Sequence, residues 1–227
     1  MNTSLVVYIF LIFNLHCGTK AHTFNQVRDK TYLALGDSYT IGESVSYQDS
    51  FPYQLASGLT QIGLRTKRPE IIAETGWTSA DLIAGLERNK ITQKFDIVTL
   101  LIGVNNQYRQ QSLESYRREL IYLLNKAINQ SKKGKSSVFV LSIPDWSVTP
   151  FGLKEDTLVI SRQIDQFNAV NKKESLRAGV HYIDITPISR LAAKNHKLLA
   201  RDGLHPSGEM YSEWVKKLIP KVRMELH

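Results

Sequence analysis

Residues 95–102 (FDIVTLLI) and 137–143 (SVFVLSI) run almost wholly apolar. A strand with one wet face alternates apolar and polar side chains, and these do not. They predict strands buried on both faces, which means a parallel sheet covered by helices on each side. Shorter apolar runs at 31–35, 70–73 and 180–185 predict three more strands. Helical patterns fall between them, over 51–64, 79–88, 112–130, 156–174 and about 207–224. Ser50 and Pro52 suit the cap and first turn of the first helix, and Thr78 or Ser79 suits the cap of the second. This alternation of strand and helix predicts an open, doubly wound α/β fold. Chemistry in such sheets gathers beyond the carboxyl ends of the strands. Asp37 and Ser38, Gly76, Asn105 and Asp145 all fall at such ends.

The chain has 227 residues, enough for one sizeable domain and short for two. Hydrophobic residues at 42% and charged residues at 22% argue against both a disordered chain and a membrane bundle. The net charge of +8 is scattered, and no aromatic-interleaved basic stripe accompanies it, so a nucleic-acid partner is not expected. Residues 5–15 (LVVYIFLIFNL) are apolar but too short to span a bilayer. A polar, small-residue stretch follows. Residues 1–21 therefore read as a signal peptide, with one catalytic domain over 22–227 and export to the periplasm or exterior. The n-region carries no Lys or Arg, and Cys17 is a weaker candidate for lipid attachment. Cys17 is also the lone cysteine, so no internal disulfide is available.

Four stretches carry chemistry. Gly36-Asp37-Ser38-Tyr39-Thr40 follows the first strand. A strand-end junction exposes a serine hydroxyl and aims free N–H groups at a developing oxyanion. Alone, it is equally a turn or cap serine. Asp202-Gly203-Leu204-His205-Pro206 places a carboxylate three residues before an imidazole, in one compact loop. That pattern suits a base and the group that orients it. Gly103-Val104-Asn105-Asn106 follows the most apolar strand, where an amide could donate to an oxyanion. Asn-rich turns are also common for backbone reasons. Glu74-Thr75-Gly76-Trp77 offers a glycine N–H, or merely a turn glycine ahead of a helix.

Taken in order, Ser38, Gly76, Asn105 and His205 resemble the four name-giving residues of the GDSL-type, or SGNH, hydrolases. Asp202 matches the acid three residues before the histidine. The resemblance covers about residue 31 to the C-terminus. It implies a three-layer α/β/α, flavodoxin-like fold with an open parallel sheet of about five strands. It also implies esterase or lipase chemistry without metal or organic cofactor. Ser38 would be the nucleophile, His205 the base and Asp202 its partner. The Ser38 and Gly76 N–H groups and the Asn105 side chain would form an oxyanion hole. One departure stands out: Asn106 replaces the usual aspartate of the third block.

Tyr39, Tyr108, Trp146 and Phe151 lie near strand ends and are candidates for an apolar substrate pocket. His181 reads as structural, and His16, His22, His196 and His227 show no metal-ligand spacing. The substrate class stays open. A lysophospholipid or short-chain acyl ester fits, as does an acetyl group on an exported polysaccharide or peptidoglycan. The basic charge and the leader suit peripheral contact with a membrane or a cell wall. A non-catalytic ligand-binding module on the same scaffold is the reading from a different class.

Overall fold

The computed structural model describes residues 28–226. The signal-peptide reading of 1–21, together with Cys17, His16, His22 and His227, lies outside the described residues. Among those described, no helix is long and apolar enough to cross a membrane.

The chain alternates as its apolar runs require. The elements are β1 (Tyr32–Gly36), α1 (Ser38–Ile41), α2 (Phe51–Gln61), β2 (Glu70–Ala73), α3 (Ser79–Asn89), β3 (Ile97–Leu101) and α4 (Val104–Tyr108). There follow α5 (Leu113–Gln130), β4 (Val138–Leu141), α6 (Thr157–Ala178), β5 (His181–Ile183), α7 (Thr186–Arg190) and α8 (Gly208–Leu226). The five strands form one sheet in the order β2-β1-β3-β4-β5, and every pairing is parallel. Every residue of β1, β3 and β4 is buried, which is why these stretches lack polar alternation.

Helices cover both faces, making three layers. α2 packs on α8, and α5 packs on both α3 and α6. The α2–α8 contact is built on aromatics: Phe51 lies 6.3 Å from the Tyr211 ring and 6.2 Å from Trp214, centroid to centroid. All three rings are fully buried. Each large apolar side chain buried this way contributes about 1.5–3 kcal/mol.

Strand order reverses direction between β1 and β3. That switch point leaves a crevice beyond their carboxyl ends. Ser38 leaves β1 there, and Asn105 follows β3.

Three local expectations differ from the structure. The Asn-rich stretch after β3 is the short helix α4 rather than a turn. Gly103, at φ 128°, redirects the chain, and Asn106 and Gln107 are satisfied inside the protein. Residues 186–190, assigned no element from sequence, form α7. Ser50 does occupy the cap position of α2, but its hydroxyl donates to the Tyr47 carbonyl (2.8 Å) instead of capping the helix. At α3 the cap is Thr78, in a reciprocal capping box with Asp81.

Candidate active site

β1 ends at Gly36 because no larger residue fits. A Cβ there would sit 2.4 Å from the Leu101 carbonyl oxygen and 2.1 Å from Thr40 Oγ1. Asp37 then caps α1: its Oδ1 accepts from the Tyr39 N–H at 3.0 Å. Its Oδ2 is buried without a hydrogen-bond partner. Burial raises the Asp37 pKa to about 7, against the pull of its backbone hydrogen bonds. Ser38 is the first residue of α1 and is 5% exposed. A first-turn N–H has no partner within its helix. Neither the Ser38 nor the Gly76 N–H donates a hydrogen bond among the described residues.

The loop carrying Asp202 and His205 is closed on itself. Leu199 bridges Pro206, the Ala200 N–H donates to the His205 carbonyl at 2.7 Å, and the Ser207 N–H donates to the Leu198 carbonyl at 2.8 Å. Inside it, Asp202 Oδ1 accepts from the N–H groups of Leu204 and His205, both at 3.0 Å. Oδ2 lies 2.6 Å from His205 Nδ1 and accepts from Ser44 Oγ at 2.6 Å. Partial burial would raise the Asp202 pKa, but the hydrogen bonds from Ser44, from His205 and from the two backbone N–H groups outweigh it. The carboxyl is held well below the usual range. A carboxylate on Nδ1 draws the ring proton to that nitrogen and leaves Nε2 as the acceptor. The Tyr39 ring stands edge-on to His205, centroids 5.6 Å apart.

Ser38 and His205 line one cavity of about 220 Å³. No hydrogen bond joins Ser38 to His205 among the described residues. The remaining wall is largely apolar. Tyr39, Tyr108, Trp146 and Phe151, the four aromatics singled out in the sequence, all lie on it with Val104 and Leu204. Tyr108 and Phe151 meet Trp146 at 5.6 and 6.0 Å between centroids. Trp146 is itself pinned, its Nε1–H donating to Gln107 Oε1 at 2.8 Å.

Asn105 also faces the cavity. One of its two amide hydrogens goes to the Trp77 carbonyl at 2.9 Å, which orients the group and leaves the other free. Gly76 precedes Trp77 but is not on the cavity wall. It adopts φ 80°, a left-handed conformation that favours glycine, and its carbonyl accepts from Arg109 Nη2 at 2.8 Å.

The departure at Asn106 has a physical account. Its Oδ1 accepts from the Ser79 N–H at 3.0 Å, as an aspartate also could. Its Nδ2 donates to Gln111 Oε1 at 2.7 Å and to Ser79 Oγ at 2.6 Å, which an aspartate could not. Glu119 Oε2 lies 3.5 Å from the same nitrogen and accepts from Ser79 Oγ. The negative charge at this loop is carried by Glu119. A second carboxylate at 106 would repel it.

Other residues weighed in the sequence stand apart from the cavity. His181 stacks on Phe139 at 4.9 Å and pairs with Glu225 at 3.1 Å. Asp145 is buried beneath the site, ion-paired with Arg190 at 2.8 Å and accepting from Ser161 at 2.7 Å. Among the described residues no group of three or more His, Cys, Asp or Glu is placed to hold a metal ion. Sequence reasoning missed three residues that hold the site. Ser44 grips Asp202, the Trp77 carbonyl grips Asn105, and Gln107 grips Trp146. None belongs to a spaced motif.

A flavodoxin-ordered parallel sheet, with a serine and a carboxylate-bound histidine facing one cavity at its switch point, defines an α/β hydrolytic class rather than a nucleotide-binding one. The chain matches the model of the GDSL-like lipase/acylhydrolase family over residues 34–212 and belongs to that family. Its reaction class is hydrolysis of carboxylic esters. No curated protein matches the sequence. Solved structures share the fold at low identity. An acetylxylan esterase from Geobacillus stearothermophilus is 22% identical with a TM-score of 0.67, covering 85% of this chain and 94% of its own. TesA is 18% identical at a TM-score of 0.67, covering 86% and 99%. The psychrotrophic esterase EstA from Pseudoalteromonas sp. is 17% identical at 0.62, covering 86% and 98%.

Proposed function

We propose that the chain hydrolyses short-chain acyl esters through a Ser38–His205–Asp202 triad. One observation carries this: His205 is bonded through Nδ1 to Asp202 at 2.6 Å while sharing a cavity with Ser38. His205 Nε2 takes the hydroxyl proton as Ser38 Oγ bonds to the ester carbonyl carbon. Asp202 steadies the resulting imidazolium. The oxyanion is met by the free amide hydrogen of Asn105 and the N–H group of Ser38. His205 returns its proton to the departing alcohol. Water then attacks the acyl-enzyme with the same base, releasing the acid and restoring Ser38. Tyr39, Tyr108, Trp146 and Phe151 enclose the acyl group.

Deacetylation of an exported polysaccharide is a second reading. The smallness of the cavity favours it, and one of the similar structures is an acetylxylan esterase. Export itself rests on the leader-like residues 1–21.

A chromogenic ester panel from acetate to octanoate tests the triad. Ser38→Ala should lower kcat by three or more orders of magnitude, about the loss that follows removal of a triad member. Full activity in Ser38→Ala would remove the assignment.

A further inference from the structure

A second cavity of about 310 Å³ adjoins the first and shares two of its walls, Tyr108 and Trp146. Its chemistry is different. Where the first is mainly aromatic and aliphatic, the second presents Gln110, Gln163, Glu155 and Asp156. No Lys or Arg lines it among the described residues.

The donors on this wall are oriented from the interior. An indole N–H can only donate. That of Trp146 goes to Oε1 of Gln107, which is 4% exposed. The Gln107 amide is thereby fixed, and its Nε2 donates to Gln163 Oε1 at 2.8 Å. With its oxygen engaged, Gln163 has its NH₂ as the donor it brings to this wall. Glu155 and Asp156 supply acceptors. Asp156 Oδ1 is taken by the N–H groups of Leu158 and Val159 at 3.1 and 3.0 Å, which leaves Oδ2. Tyr108, 54% exposed, offers a ring beside them.

A wall of donors alone selects an anion, and one of acceptors alone selects a cation. Donors and acceptors together, next to an open aromatic ring, match hydroxyl groups, which both give and take hydrogen bonds. We propose that this cavity binds the alcohol part of the substrate and that the alcohol is an uncharged saccharide. The proposal rests on the hydrolase reading of Ser38 and His205. The apolar cavity then takes the acyl group, and the saccharide leaves from the polar side with the proton from His205. A phosphate-bearing alcohol would meet two carboxylates there and be rejected.

The test is ligand-observed NMR titration of the protein with xylobiose, cellobiose and maltose, and separately with choline and glycerophosphocholine. At least one disaccharide should bind in the millimolar range, and Gln163→Ala should weaken it about tenfold. Glu155→Ala, at an exposed position, serves as the second variant should Gln163→Ala fail to fold. Absence of saccharide binding would overturn the proposal. So would binding that both variants leave unchanged, or tighter binding of choline or glycerophosphocholine. Turnover of p-nitrophenyl acetate by the same preparation tests the Ser38 reading on its own. Saccharide binding through Gln163 without ester cleavage would refute that reading and keep the site.

Discussion

The carboxylates of Asp37 and Asp202 each stand beside one of the two side chains that meet across the cavity, and they are held in opposite ways. Asp202 sits in a surface loop, with both oxygens taken by donors from Ser44, His205 and the backbone. Its charge is stabilised. Asp37 is buried, with one oxygen bonded and the other bare. Its charge is penalised, and its pKa rises to about 7. Both lie in short Asp-containing motifs, so residue type alone does not separate them. The number of donors around each does. Asp202 is built to be an anion at all working pH values, and Asp37 is a helix cap that tolerates a proton.

The largest test of this contrast is Asp202→Asn. It keeps the shape and removes the charge that fixes the His205 tautomer. Where a triad acid has been neutralised this way, the loss is about four orders of magnitude in kcat. Steady-state kinetics on p-nitrophenyl acetate would show it, and a loss under tenfold would place Asp202 with Asp37 as a structural group.

Asp37→Asn should act on stability instead. The folded pKa lies above that of the unfolded chain, so the folded state holds a proton that the unfolded state has lost between about pH 4 and 7. The stabilisation from that proton is complete below the unfolded pKa and vanishes as pH rises through the folded one. Above pH 7 the buried charge then costs the wild type on the order of a few kcal/mol. Asn, always neutral, avoids that cost. Melting temperatures should be similar at about pH 4 and favour the variant by roughly 5–10 °C at pH 8. Activity should stay within tenfold of wild type. An equal melting temperature at pH 8 would mean that Asp37 finds partners when charged.

Ser44→Ala sharpens the contrast at the smaller end. It removes one of the donors on Asp202 and leaves His205 in place. A single hydrogen bond to a charged group is worth about 1.5–3 kcal/mol at most. An exposed one is worth less, so kcat should fall by about tenfold or less. Steady-state kinetics would show it, and an unchanged kcat would leave the backbone donors sufficient by themselves.

Much of this was legible in advance, and the exceptions share a cause. The unbroken apolar runs of β3 and β4 announced a sheet buried on both faces, and β2 falls on the residues that its apolar pattern marked. α4 was not visible, because five residues hold too little periodicity to outweigh two asparagines that suit a turn. α7 is as short. At the cavity, the order of Ser38, Gly76, Asn105 and His205 pointed to one edge through resemblance to a family. The holders of those residues left no trace. Ser44 reaches Asp202 across a separation of 158 residues, and Trp77 grips Asn105 with a backbone carbonyl that every residue type possesses. Asn106 looked like a loss in the sequence. In three dimensions its amide is bonded to Ser79 and Gln111, beside the Glu119 carboxylate from the next helix.

The α2–α8 contact bears on when the proposed triad could form as the chain is made. The strand that presents Ser38 is translated before the other four strands described. The loop carrying His205 arrives some 167 residues later, and it is docked by the helix that follows it. A ribosome-bound chain can therefore complete most of its sheet with a serine that has no base. On the proposed triad, the nascent protein would stay chemically silent until α8 has settled against Phe51.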